Sequence, residues 1–215
     1  MCGRRNREGG MPQRDFQLAK YPKTIQCRDG LEVTVRPMEA GDFDIVRAFF
    51  TNLPMEDRLF LRDDATRPEV LAGWFVGLDY AKRIPILALH GGEVVGHALL
   101  DGEQRGWSRH VAEVRVVVAD AYKKRAVGSV LARELFDLAN SMGFEKVIGQ
   151  MMDTQSAART MFERMGFVAE ARLAGHIKDL SGEKHDLLIM SCSLDDAWAR
   201  MQELLDDISV TALES

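Results

Sequence analysis

The sequence predicts one domain of the α/β (α+β) class built on about seven strands. Two observations carry this reading. Apolar residues switch repeatedly between the alternation of strands and the three-and-four spacing of helices, in the order β-αα-β-β-β-α-β-α-β-β. The 215 residues are 46% hydrophobic, enough for a sizeable core, and neither an internal repeat nor a linker divides the body of the chain.

Each element has its local reason. Residues 1–24 are rich in Gly and Arg with little apolar pattern, and read as a flexible tail before a domain spanning 25–194. "LEVTVRP" alternates and stops at Pro37, as a strand does. "MEAGDFDIVRAFFTNL" puts Phe43, Val46, Phe49 and Phe50 on one helical side, and "RPEVLAGWFVGLDYAK" gives a second helix with Pro68 in its first turn. "RIPILALH", the turn "GGE" and "VVGHALLDGE" form a hairpin whose glycines supply the tight reversal. "RHVAEVRVVVA" is a Val-rich strand, followed by a helix from Ala126, the strand "FEKVIGQMM" and the short helix "TQSAARTMFERM", which Gly166 ends as a C-cap. "FVAEARLAGHI" and "EKHDLLIMSCSL" flank the turn "DLSGE", and residues 195–215 close the chain as a helix and tail.

Several function classes are disfavoured. A net charge of −5 argues against a general nucleic-acid binder, whose affinity rests on summed basic charge, and the basic residues of the tail are too few to change that. No apolar run approaches the length of a membrane span, and the N-terminus lacks the apolar core of a secretory signal. Cys2, Cys27 and Cys192 are scattered and read as reduced thiols of a cytoplasmic protein, in neither a disulfide framework nor a metal site.

One stretch resists a purely structural reading. In "VVVADAYKKRAVGSVLARELFDLA" three adjacent cations, Lys123, Lys124 and Arg125, run into a helix start. That end of a helix already exposes free N–H groups and positive partial charge, so cations there are locally unfavourable. A phosphate would reverse the sign, held by backbone N–H groups, with small residues allowing close approach and the cations adding charge-assisted bonds.

This stretch and the order around it resemble the GCN5-related N-acetyltransferase (GNAT) family over roughly residues 31–194. Lys123-Lys124-Arg125-Ala126-Val127-Gly128 stands where the family has its pyrophosphate loop, Arg/Gln-x-x-Gly-x-Gly/Ala. "GEVVGHALL", "MFERMGF" and "SGEKHDLLIM" match three further elements. "VTVRPMEAGDFDIVRAFFTNLPMEDRLFLR" and "AEVRVVVAD" are similar to the acetyltransferase module of bacterial protein-lysine acetyltransferases. The resemblance implies a central, mixed, mostly antiparallel sheet flanked by helices. It implies acetyl-CoA as acyl donor, without a metal, with its pyrophosphate over residues 123–129, Ser129 included. Val116, Val117 and Val118 would hold the pantetheine arm by their backbones. Gln155 stands where the family has Asn, and Phe162 where many members have a Tyr that protonates the departing thiolate. Ala126 replaces a Gly, a burden only if that position needs positive φ.

Transfer to a primary amine needs an unprotonated nucleophile, and so a general base. Glu113, a carboxylate in a mostly apolar strand upstream of the cofactor stretch, is the candidate; its alternative is a structural ion pair with Arg115. His90 and His97 read as packing or surface residues; His176, Asp179, His185 and Asp186 cluster around the last turn, which in the family edges the acceptor pocket, and read first as loop polarity, with binding or deprotonation of an amine as the alternative. The acceptor, protein lysine or small-molecule amine, is left open, as is a homodimer. The rival class is an acyl-CoA-binding sensor without turnover, favoured by Ala126, Gln155 and Phe162.

Overall fold

A computed structural model describes residues 18–195, apart from 59, 60, 62, 77, 103, 104 and 180. An eight-stranded sheet forms the centre, in the order β1-β2-β3-β4-β5-β6-β8-β7. Its strands are β1 Lys23–Gln26, β2 Glu32–Pro37, β3 Arg83–His90, β4 Glu93–Asp101, β5 Val111–Val118, β6 Lys146–Met152, β7 Val168–Lys178 and β8 Lys184–Ser193. Helices α1 (Phe43–Asn52), the single turn α2 (Met55–Arg58) and α3 (Pro68–Phe75) lie between β2 and β3. Helix α4 (Val127–Ser141) joins β5 to β6, and α5 (Ser156–Arg164) joins β6 to β7. No helix among the described residues is long and apolar enough to cross a membrane.

The sheet separates two apolar layers. Leu131, Leu135 and Phe136 of α4 pack on one face with Ile86, Ala98 and Val114. Val46, Phe49 and Phe50 of α1 and Leu71 of α3 pack on the other with Leu87, and Val117 lies against them. Strand alternation sends the side chains of Glu113, Arg115 and Val117 toward the α1–α3 face, and those of Val114, Val116 and Val118 toward α4.

Local signals placed most boundaries. Gly91 and Gly92 both have positive φ, as a two-residue reversal between β3 and β4 requires. Gly143 and Gly166 end α4 and α5 in the same way. Phe144 N–H reaches Ala139 O and Gly143 N–H reaches Asn140 O; Phe167 and Gly166 repeat the pair on Phe162 and Glu163.

Three expectations need correction. Lys23 and Thr24, expected in the flexible tail, belong to β1, the eighth strand. Lys23 Nζ donates to Glu134 Oε2 of α4 at 2.7 Å and Tyr21 hydroxyl donates to the same oxygen at 2.8 Å, so the anchor is polar and shows no apolar period. The second helix stops at Phe75, because Val76 is already extended, with ψ 107°. The first begins at Phe43 after a 3₁₀ turn over Ala40–Asp42, in which the Asp42 side chain closes back on the Glu39 backbone. The expected C-terminal helix and most of the expected tail lie outside the described residues.

The ladders are antiparallel except β5–β6, which is parallel and short. It pairs Val111 with Lys146, Ala112 with Val147 and Glu113 with Ile148, and then stops. β5 continues along β4 to Val118, while β6 continues along β8 to Met152. The sheet is split from Val114 onward.

Phe162 of α5 sits behind this split because Gly149 of β6 makes room for it. A β-carbon at 149 would run into the Phe162 ring. Gly149→Ala should therefore destabilise the fold by about 1–3 kcal/mol through overpacking. Gly41→Ala, at a site with nothing within 4 Å, is the control. Urea midpoints of the two variants check the difference.

Candidate active site

The phase of the β4–β5 ladder decides which backbone groups face the split. Ala119 N–H donates to Val95 O at 3.0 Å, making that opposed pair a hydrogen-bonded one. Stepping back by twos along the register, Val117, Arg115 and Glu113 bond to β4. Val116 and Val118 turn their N–H and C=O outward, where no strand pairs with them. A groove of about 420 Å³ follows this edge; residues 114–118 form one side, and Gln150, Met151 and the start of α5 the other.

The α4 helix opens beside the groove. Its first helical bond is Val130 N–H to Ala126 O, so the N–H groups of Val127, Gly128 and Ser129 have no acceptor within the helix. Ala126 caps the helix without a side-chain bond, at φ 69°. Lys124, at φ 61°, also adopts the left-handed region. The two residues turn the chain so that the helix start and the cations share one corner. Arg125 C=O is held by Arg28 N–H at 3.2 Å, which fastens this loop to the β1–β2 connection. Val127 is buried in the core, whereas Lys124 and Ser129 are exposed. The space beside Gly128 is filled by Met161 and Val118, so its small size serves packing within the protein.

The three cations differ in their partners. Lys123 Nζ bonds both carboxylate oxygens of Asp57, at 2.7 and 2.8 Å, and lies 3.3 Å from Asp120. Desolvation opposes its charge, but the bonds to Asp57 and Asp120 outweigh it and raise its pKa. Its ammonium thus spans from the loop to the α2 turn. Arg125 packs over the Tyr122 ring at 5.9 Å.

Glu113 lies in the groove wall, and Arg115 Nε donates to its Oε1 at 2.9 Å. The structural pairing and the groove location therefore hold together. Phe162 lines the groove and is 6% exposed, in an edge-on contact with Phe167 at 4.6 Å. Gln155 lines it too, but its side-chain oxygen accepts the Met152 N–H at 2.9 Å and so pins the end of β6.

The last-turn cluster is elsewhere. Asp179 accepts bonds from Ser181 and Glu183 N–H groups and the Ser181 hydroxyl, and it contacts His185 at 2.9 Å. The Ser181 hydroxyl, then His185, hold its carboxyl far below the usual range. Asp186 accepts from Arg172 and from Gly175 N–H. These residues organise the β7–β8 hairpin and none lines the groove.

His97 is a packing residue, one of the two readings its sequence position allowed. It is buried on β4 between Phe50 and Trp74, with ring centroids 5.3 and 5.8 Å away, and its Nε2 has no partner among the described residues. Burial, with the Arg115 charge as a smaller cause, pushes its pKa down to about 4. It lines both the groove and a second cavity of about 270 Å³ toward α3, as do Asp63, Trp74 and Arg115. The alternation of β4 offered a signal, since His97 lies opposite Val117 on the α1–α3 face.

A sheet split beside an uncapped helix start, with a carboxylate further along the split strand, defines a site able to hold an extended phosphate-bearing ligand and deprotonate a partner. The model of the acetyltransferase (GNAT) family matches residues 47–167. The chain belongs to that family, and its enzyme class is N-acetyltransferase. It is 25% identical to a putative phosphinothricin acetyltransferase, YwnH, of Bacillus subtilis over 164 residues, 75% of this chain and 99% of that protein. It is 28% identical to acetyltransferase Pat of Mycolicibacterium smegmatis over 154 residues, 68% of this chain and 44% of Pat. Its fold is similar to that of yncA, a putative acetyltransferase from Salmonella typhimurium solved with its cofactor acetyl-CoA. That comparison gives a TM-score of 0.63 at 18% identity, over 75% of this chain and 94% of the other.

Two outcomes follow from the geometry. Ala126→Gly removes a left-handed penalty of roughly 1–2 kcal/mol, partly offset by the looser unfolded chain, and should stabilise by about 0.5–1 kcal/mol in thermal or urea unfolding. The folded-state pKa of His97 is depressed, so between about pH 4 and 6.5 the unfolded chain binds more protons than the native one. Stability carried by the neutral ring is complete above that window and lost as pH falls through it, roughly 2–4 kcal/mol at full protonation. Urea unfolding at pH 7 and pH 4.5 should show a loss that shrinks in His97→Leu.

Proposed function

We propose that the protein transfers the acetyl group of acetyl-CoA to a primary amine, with Glu113 as the general base. The observation that carries this is the split after Glu113, which leaves the Val116 and Val118 backbone open beside the uncapped start of α4. The donor set suits the cofactor: amide-bearing pantetheine can pair with a strand edge, and a pyrophosphate suits free N–H groups backed by cations. Val116 and Val118 would hold the arm. The residue 126–129 backbone, with Lys124 and Arg125, would take the pyrophosphate. Acetyl-CoA, when bound, supplies the activated acyl group.

The residues of this chain handle the proton and the positions. An alkyl amine with a pKa near 10.4 is protonated at pH 7, and freeing its lone pair requires roughly 4–5 kcal/mol. Glu113 stands in the groove wall at the point where the split begins, able to take that proton directly or through water, while Arg115 fixes its carboxylate. An outward N–H of β5 is an oxyanion donor of the preorganised kind. Phe162 supplies no acid, so the coenzyme A thiol leaves without a side-chain proton there. Protein lysine and small-molecule amines are both compatible acceptor classes, and the name of the YwnH relative specifies a small molecule, phosphinothricin.

Glu113→Gln should lower kcat by roughly 10²–10⁴ with acetyl-CoA affinity unchanged, and wild-type rates should climb with pH as free amine appears. Wild-type kcat in that variant would assign deprotonation to solvent or another group. Acetyl-CoA binding without thiol release on any amine or peptide would leave a sensor in place of the enzyme.

Lys124→Ala with Arg125→Ala should weaken acetyl-CoA binding, less so at high salt. Lys123→Ala should weaken it less than the pair does, because Asp57 and Asp120 already occupy that charge. Calorimetry at two ionic strengths checks both.

A further inference from the structure

The second cavity has Pro85 and Leu99 of the sheet on one side and Trp74 of α3 on another, and it meets the groove at His97 and Arg115. Two side chains at this junction have nitrogens that no described residue takes. His97 Nε2 is buried and has no hydrogen-bond partner among the described residues. Arg115 spends its Nε on Glu113, and no described residue takes its two terminal nitrogens, although its side chain is only 25% exposed. Two of the other charges there have partners. Arg83 pairs with Asp101, and Asp79 accepts the Ala81 N–H.

We infer that this cavity is the acceptor site and takes a small primary amine that carries a carboxylate, an amino-acid-like molecule, with the carboxylate on the Arg115 guanidinium. The inference rests on the acetyltransferase reading above and names its acceptor class. A guanidinium held by its Nε presents a rigid, planar pair of donors, the geometry that matches a carboxylate. The neutral His97 ring, in the tautomer with hydrogen on Nε2, adds a third donor inside an aromatic wall. Glu113 is tied to the same guanidinium, so a carboxylate bound there places the neighbouring amine beside the base. Asp63, which lines both cavities, offers a countercharge to the ammonium as it enters.

A protein lysine fits this junction less well. Its side chain brings a cation and four methylenes and no anion, so the outer nitrogens of Arg115 would gain no carboxylate and the guanidinium would repel the ammonium. A volume near 270 Å³ suits a small molecule held whole.

The test uses the full chain with acetyl-CoA and three kinds of acceptor. These are L-amino acids, the same amines without the carboxylate (leucine against isoamylamine, phenylalanine against phenethylamine), and a lysine peptide with blocked termini. Thiol release gives kcat and KM, and calorimetry gives binding. The amino acids should be preferred over their decarboxylated partners by about 10–100-fold, the range for hydrogen bonds to a charged group. Arg115→Gln should remove that preference by raising KM for amino acids more than for the bare amines, with any kcat lost through Glu113 shared by both. An effect acting only through Glu113 would instead lower kcat for both. His97→Phe, which keeps the ring volume without Nε2, should weaken amino-acid binding in a folded protein.

Equal use of amino acids and bare amines, or better use of the lysine peptide, would overturn the carboxylate inference and leave the transferase intact. Amino-acid binding that depends on Arg115, with no thiol release from any acceptor, would uphold the inference and remove the transferase reading. Neither binding nor release would overturn both.

Discussion

Everything at the site depends on a ladder that stops. β5 and β6 are joined through three residue pairs and then part company, each kept in the sheet by its other neighbour. A buried strand edge without a partner is normally a liability, since each unpaired N–H or C=O carries a desolvation penalty of roughly 1–3 kcal/mol. The fold places this edge along a groove, where water or a ligand can satisfy it. Gly149 and Phe162 support the far side of the opening, and α4, starting just past the end of β5, brings its free N–H groups to the same corner. The split thus provides a bed for an extended ligand and a passage between the two faces of the sheet.

The charges along the groove are arranged for exchange. Lys123 with Asp57 and Arg115 with Glu113 are both partly exposed pairs, and such pairs contribute about 0–1 kcal/mol. Giving up the first for a phosphate is a small loss, and the second need not be given up, because Arg115 retains donors while it positions Glu113. His97 is different. Its ring is sealed between Phe50 and Trp74 and stays neutral, so it offers one hydrogen bond without a charge. The neutral ring and the guanidinium together distinguish the α3 side of the groove from the end beside the start of α4.

Much of the architecture was legible in the chain because local rules govern it. Gly91-Gly92, Gly143 and Gly166 announce their turns, and the Val run of β5 announces a central strand. The basic stretch before α4 was legible as an anomaly, cations where a helix start disfavours them. What escaped depends on contacts distant in sequence. β1 is four residues held by Lys23 and Tyr21 on Glu134, more than a hundred positions away, and no periodicity reports such a bond. Whether Ala126 carries strain was undecidable without its φ. His97 reads as a packing or surface residue until α1 and α3 fold over it, and Arg115 reads as a partner of Glu113 without revealing that it lines a second cavity. Conversely, His176, Asp179, His185 and Asp186 looked like a chemical cluster because they are close in sequence, and they serve their own hairpin.

The central claim is that the open edge of β5 and the start of α4 form one binding surface for acetyl-CoA. Residue-resolved amide hydrogen exchange, with and without acetyl-CoA, tests it most directly. The Val116 and Val118 amides, together with those of Val127, Gly128 and Ser129, should exchange readily in the free protein and slow when the cofactor is added. The Val117 amide, bonded to β4 in either state, should change little. Saturating acetyl-CoA that leaves Val116 and Val118 as they were, or that protects a surface away from the split, would contradict the account.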